Sequence, residues 1–141
     1  MIVLDTNVVS EFMKARPHPD AARWLSGQGD TPLSTTAITV AEITFGLKRL
    51  TDGRRRADLE ARFESYVGGE AGLMVLALDD VSARIAGQFR AERQVAGLGA
   101  HASDMMIAGM VASLGARLAT RNVTDFDRLP IEIMNPWASP T

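Results

Sequence analysis

Ile2-Val3-Leu4-Asp5-Thr6-Asn7-Val8 decides how this chain is read. The three apolar residues form a first strand, and an acid, a hydroxyl and an amide follow it without a break. An Asp placed directly after a strand stands at the strand's carboxyl end. In open α/β sheets that end is where sites form, close to the point where strand order reverses. The same Asp can also serve as the N-cap of a helix through Val8 to Lys14.

Outward from this stretch, apolar strands alternate with amphipathic helices. Asp20 to Gln28 reads as a helix anchored by Trp24 and Leu25, and Leu33 to Ala37 as a second strand. Val40, Ile43, Leu47 and Leu50 recur at i, i+3, i+7 and i+10, one face of a helix. Arg54 to Val67 carries Leu59, Phe63 and Tyr66 on a similar stripe, and Gly68, Gly69 and Gly72 mark a loop. Leu73 to Leu78 is apolar throughout, as expected of a strand covered on both faces. Val81, Ile85 and Phe89 make one more helical stripe, and Ile107, Met110, Val111 and Leu114 another, with a loop from Gly97 to Ala102 between them. Leu118 to Thr120 and Ile131 to Met134 complete the strands. The alternation predicts an α/β fold with a central parallel sheet and helices on both sides. The 141 residues suit a single domain over 1–141.

Composition narrows the chemistry. The chain has no cysteine, which excludes a disulfide framework, a thiolate zinc site and a cysteine nucleophile. No apolar run reaches membrane-spanning length, and no basic segment precedes Asp5, so a cytoplasmic protein without a membrane partner is expected. Fifteen basic and 17 acidic residues leave a net charge of −2. A polyanion-binding protein with that charge needs local basic patches, or cations held by its acids. Lys48, Arg49, Arg54, Arg55, Arg56 and Arg62 form the one basic cluster. Arg54, Arg55 and Arg56 open a helix, where cations oppose the dipole. They are the candidate contacts for RNA phosphate or for an acidic partner segment.

Four acidic positions stand out. Asp5 ends the first strand. Glu42 follows Thr39 by three residues, which also fits a capping box. Asp104 lies three before Ile107 and seven before Val111, on the buried stripe of its own helix. A carboxylate there is costly unless it is paired or holds a metal. Asp125, with Asn122 three residues ahead of it, follows the fourth strand. Oxygen ligands without neighbouring Cys or His suit Mg²⁺ or Mn²⁺. Acids around such ions suit phosphoryl chemistry, because the ions bind the scissile phosphate and lower the pKa of an attacking water. His18 and His101 have no metal-ligand spacing. Gly97-Leu98-Gly99-Ala100-His101-Ala102 fits a loose dinucleotide pattern but follows a helix, where the fingerprint requires a strand. Met105, Met106 and Met110 read as core or dimer packing.

Ile-Val-Leu-Asp5-Thr6-Asn7, Val40-Ala41-Glu42, Asp104-Met-Met-Ile-Ala108, Ala119-Thr120-Arg121-Asn122-Val123-Thr124-Asp125-Phe126 and the closing Asn135-Pro136-Trp137 resemble the PIN domain of the VapC and FitB-like toxins. The resemblance implies a three-layer α/β/α sandwich. It also implies an Mg²⁺- or Mn²⁺-dependent endoribonuclease, the toxin of a toxin–antitoxin pair. Its implied partners are an RNA substrate, a second copy in a homodimer and a small antitoxin with a DNA-binding domain. By motif position, Asp5, Glu42 and Asp104 take the roles of catalytic, metal-binding carboxylates. The fourth ligand stays open between Asp125 and Asn122, and Thr6, Asn7 and Thr120 support the acids by hydrogen bonds. The alternatives are a PIN-like binding module without catalysis and a receiver-type signalling domain. The receiver needs an acidic pair after the first strand and a late lysine, whereas Asp5 stands alone and the only lysines are Lys14 and Lys48. A dehalogenase-like phosphatase needs a second acid at position 7, which is Asn7.

Overall fold

Ile2–Leu4 forms β1, the middle strand of a five-stranded parallel sheet. In the computed structural model, residues 1–67 and 72–138 are described; the expected glycine loop at Gly68 and Gly69 lies outside them. After β1 come α1 (Thr6–Phe12), α2 (Pro19–Ser26), β2 (Leu33–Thr36), α3 (Ala37–Arg49), α4 (Arg54–Val67) and β3 (Met74–Leu76). Then follow α5 (Asp80–Val95), α6 (Ala102–Ser113), β4 (Arg117–Ala119), α7 (Val123–Phe126) and β5 (Glu132–Met134). The sheet grows from β1 through β2 to β3, then restarts on the other side of β1 with β4 and β5, and every pairing is parallel. The order of strands therefore reverses between β1 and β4. Among the described residues, no helix is long and apolar enough to cross a membrane.

The two-residue period of a strand divides β1 between two cores. Ile2 and Leu4 pack with Val8, Val9, Phe12, Ile43, Leu47 and Phe63 from α1, α3 and α4. Val3 packs on the other face with Phe89, Met105, Ile107, Val111, Leu118 and Phe126. The expected helix–sheet–helix layering is therefore present, with β1 buried on both faces.

Four expectations shift. α3 begins at Ala37, capped by Thr36, whose Oγ1 accepts the Thr39 N–H at 3.1 Å. Thr39 and Glu42 consequently form no capping box, and the Glu42 carboxylate is available elsewhere. β3 is shorter than Leu73 to Leu78 and is not covered on both faces: as an edge strand it leaves Met74 61% and Val75 40% exposed. The buried stripe of α5 is Ser82, Ala86, Phe89 and Arg93, whereas Val81 faces outward. Leu114 is the C-cap of α6 and is exposed, so the α6 stripe ends at Val111.

α6 is buried on nearly every side, and its closest neighbour is α5. A Cβ added at Gly109 would collide with the Ser82 carbonyl oxygen and stand 2.9 Å from the Ala86 nitrogen. Both obstacles are backbone of α5 and cannot swing aside. A helical Gly→Ala change normally gains about 1 kcal/mol. Here the two helices must separate, and overpacking of this kind costs about 1–3 kcal/mol. Gly109→Ala is therefore expected to lower the melting temperature despite its better helix propensity; an unchanged or higher melting point would show that the helices are not so closely apposed.

Candidate active site

The reversal of strand order leaves a crevice where β1 and β4 end, and the chain fills it with polar side chains. Asp5 caps α1 by accepting the Thr6 N–H at 2.8 Å on Oδ1. The N-cap role read from sequence is real. It does not use up the carboxylate, whose Oδ2 accepts the Thr120 hydroxyl at 2.7 Å and the Asn7 amide at 3.3 Å. Asp5 is 4% exposed and Thr120 is fully buried. Asn7 also donates to Thr120 Oγ1 at 3.4 Å, and its Oδ1 accepts the Arg121 N–H at 3.1 Å. The Asn122 N–H closes the turn on Thr120 Oγ1 at 3.0 Å. The ends of β1 and β4 are thus tied together through one carboxylate and one amide.

Glu42 reaches the same rim from α3. Its Oε1 accepts the Thr6 hydroxyl at 2.9 Å. With that proton committed, Thr6 Oγ1 accepts from Thr39 Oγ1 at 3.0 Å, and Thr39 Oγ1 accepts from Thr36 Oγ1 at 3.4 Å. Three hydroxyls therefore point their protons in series toward Glu42, an alignment in which each bond polarises the next. Sequence reading does not single out Thr36 and Thr39 as site residues. The available signal is the spacing of hydroxyls at 35, 36 and 39, which looks like ordinary strand and cap usage.

Asp104 lies in the first turn of α6, half-buried. Burial pushes its pKa up to about 6, and the neighbouring charges of Asp5, Asp125 and Glu42 add to the rise while His101 opposes it. Burial likewise raises the Asp5 carboxyl, helped by the charge of Glu42 and opposed by its bonds from Thr120, Thr6 and Asn7. Asp104 therefore feels the charge of the other three acids, and Asp5 that of Glu42. Among the described residues none of the four has a lysine or arginine ion pair, although such pairs form elsewhere on the protein. Asp125 belongs to this electrostatic group. Asn122 is exposed, occupies the N-cap of α7 and makes no side-chain cap bond. As the side chains are posed, no three acids or histidines among the described residues stand close enough to hold an ion between them. The donors are nonetheless all hard oxygens, without cationic partners and mutually repelling, which is the chemistry that suits a divalent cation.

One residue that sequence reading passes over supports two of the acids. Arg93, 4% exposed, donates from Nε to the Gly99 carbonyl at 2.6 Å, and from Nη1 to the Asp127 carbonyl at 2.5 Å. Nη2 reaches the Thr124 carbonyl at 3.4 Å. It joins the loop that leads into Asp104 to the turn that carries Asp125. In sequence it sits among Arg90, Glu92 and Gln94 and looks like any solvated helical charge.

The basic cluster separates into different roles. Arg56 is paired with Glu60 at 2.6 Å and Asp52 at 2.8 Å, and Arg62 donates to the Met13 carbonyl at 3.0 Å. Arg54, Arg55 and Arg62 line a surface groove of about 450 Å³ together with Lys14 and Asp58. An adjoining groove of about 300 Å³ shares Lys14, Arg55 and Leu59 and is bounded by Thr6 and Glu42. These cations thus lie along a path that opens on the acidic crevice.

The raised pKa of Asp104 has a sign that can be checked. Between the ordinary aspartate value and about 6, the folded protein holds a proton that the unfolded chain has lost. Stability contributed by that proton is complete below the ordinary value and is lost as pH rises through about 6. In EDTA, wild-type stability is expected to fall over that window, and Asp104→Asn to be flatter across it. At pH 7 the variant is expected to be more stable by about 1 kcal/mol. Chemical denaturation at a series of pH values reads this, and a variant that is less stable at pH 7 in EDTA would show that Asp104 is a structural acid.

Comparisons with known proteins agree with this geometry. A PIN domain match covers residues 2–132. The VapC ribonuclease Y4jK of Sinorhizobium fredii is 36% identical over 137 residues, covering 97% of this chain and 98% of that protein. The toxin FitB of Neisseria gonorrhoeae is 31% identical, covering 97% and 99%. A solved structure of FitAB bound to an IR36 DNA fragment superposes with a TM-score of 0.88 at 31% identity, covering 100% of this chain and 99% of that one. A buried aspartate where strand order reverses, a set of acids around it without cationic partners, and relatives matched end to end lead to one assignment: the chain belongs to the PIN-domain family.

Proposed function

We propose that this protein is a divalent-cation-dependent endoribonuclease acting as the toxin of a toxin–antitoxin pair. The observation that carries the reading is that Asp5, Glu42 and Asp125 all bear on Asp104 at the rim where β1 and β4 end, while among the described residues no lysine or arginine pairs with any of the four. Relatives of matching length named as a ribonuclease and as a toxin support it.

In this reading Asp5, Glu42 and Asp104 hold Mg²⁺ or Mn²⁺, and Asp125 rather than Asn122 completes the set. The bound cation supplies neutralisation of the scissile phosphate and a lowered pKa for the attacking water. The chain's own residues prepare the place. Thr120, Asn7 and the Thr6 N–H orient Asp5 and offset part of the cost of burying it. The hydroxyl series from Thr36 to Thr6 fixes Glu42. A cytoplasmic setting, a homodimer and an antitoxin with its own DNA-binding domain belong to the same reading. The exposed Met74 and Val75 on the β3 edge offer an apolar surface for a second copy.

Incubation with single-stranded RNA and Mn²⁺ is expected to give internal cleavage that EDTA abolishes. Asp5→Asn, Glu42→Gln and Asp104→Asn are each expected to reduce the rate by orders of magnitude. RNA left whole by a folded, Mn²⁺-loaded wild type contradicts the reading. For the groove, Arg54→Ala with Arg55→Ala should weaken RNA binding and flatten its salt dependence by about 0.7 for each phosphate no longer neutralised. An unchanged slope assigns both arginines to the antitoxin or to solvent.

A further inference from the structure

Arg121 follows directly on Thr120, a hydrogen-bond partner of Asp5. Its backbone N–H donates to Asn7 Oδ1 at 3.1 Å, so it is tied to the amide that also serves Asp5 and Thr120. Its side chain does not turn back toward the acids. The guanidinium carbon lies over the Trp137 ring, 5.1 Å from the centroid. The indole is held in turn: Nε1 donates to the buried Glu11 of α1 at 3.3 Å, and the backbone N–H of Trp137 donates to Asn135 Oδ1 at 3.0 Å. Among the described residues the guanidinium makes no ion pair and donates no hydrogen bond, whereas Arg23, Arg56, Arg84 and Arg93 each find a carboxylate.

A loose arginine beside uncompensated acids would be drawn onto them and would neutralise the cluster. The indole face offers a competing seat. It keeps the positive charge beside the crevice and out of it, with the guanidinium's donors unspent. A planar fork of five N–H donors matches the oxygens of a phosphate. The exposed plane of a guanidinium also stacks on unpaired bases of single-stranded RNA. The acids by themselves repel a polyanion, so a strand approaching this rim needs such a cation at the edge.

We propose that Arg121, seated on Trp137, binds a phosphate of the RNA strand and aligns that strand across the acidic crevice. The proposal rests on the nuclease reading and adds to it a binding residue with its platform.

The test is anisotropy titration of a fluorescein-labelled single-stranded RNA of mixed sequence over a range of KCl concentrations. EDTA and an Asp104→Asn background in every sample prevent cleavage. Arg121→Ala is expected to weaken binding about tenfold and to lower the salt slope by about 0.7, the value for a single phosphate. Arg121→Lys should keep the slope and lose affinity, because the charge remains while the stacked fork is gone. Trp137→Leu should behave like Arg121→Lys. In a Trp24→Phe protein, where Trp137 is the sole tryptophan, RNA should change its emission. Melting curves establish that each variant is folded; should Trp137→Leu fail to fold, the two Arg121 variants, altered at an exposed side chain, carry the test. Parental affinity and slope in Arg121→Ala would overturn the proposal. If RNA is then still bound and cleaved by the wild type, the nuclease reading stands without it. A wild type that neither binds nor cleaves RNA would bring down both.

Discussion

Burial of the Asp5 carboxylate at the end of β1 is the constraint to which the rest of the structure accommodates. An ionised group in that position loses its water and must recover the loss from fixed donors. The donors come from three directions: the Thr6 backbone, the Thr120 hydroxyl after β4 and the Asn7 amide in α1. Each is delivered by a different part of the fold. Thr120 can reach Asp5 only because β1 and β4 are parallel neighbours in register, Leu4 beside Ala119. Thr6 can donate its backbone N–H only because α1 starts without an intervening loop. Even so, the donors do not fully offset the desolvation and the charge of Glu42, and the carboxyl stays raised. That residual under-compensation is what the proposed cation would relieve.

The scaffold around this group is stiff where the acids need it to be. β1 contributes side chains to both cores, so it cannot shift toward either helix layer without opening a cavity in the other. α6, which carries Asp104, is wedged against α5 at Gly109 with no room for a methyl group. Arg93 adds a polar lock: a buried guanidinium that donates to backbone carbonyls of the two segments leading to Asp104 and bearing Asp125, and pairs with the Asp127 carboxylate. The rim is less constrained. Glu42 is exposed and held through hydroxyls, and Arg121 is held only by its backbone and an aromatic face. Such a division would suit the proposed cation site, with fixed carboxylates at the bottom and adjustable groups at the entrance.

Much of this is legible in the residues. The strand–helix alternation leads to the parallel sheet, and Asp5 at a strand end leads to the crevice, because both follow from periodicity and one topological rule. The buried-stripe position of Asp104 points to a perturbed acid, since an apolar stripe interrupted by a carboxylate is visible in sequence. The departures have equally physical origins. The Thr39/Glu42 capping box does not form because Thr36 competes for the same role three residues earlier, and local pattern cannot rank two caps. The apolar residues of β3 suggest a covered strand, yet sheet order alone places it at the edge. Arg56 looks like its neighbours Arg54 and Arg55, but Asp52 and Glu60, at i−4 and i+4, claim it. Arg93 and the Arg121–Trp137 stack depend on segments distant in sequence, so no local window contains them.

The central claim is that Asp5, Glu42, Asp104 and Asp125 share a divalent cation at the reversal of strand order. The most direct measurement is anomalous diffraction from crystals of the wild type grown with Mn²⁺, collected near the manganese edge. The account predicts an anomalous peak between Asp5 and Asp104, within coordination distance of both carboxylates. Crystals that show manganese elsewhere on the protein, with the four carboxylates still apart and uncoordinated, would contradict it.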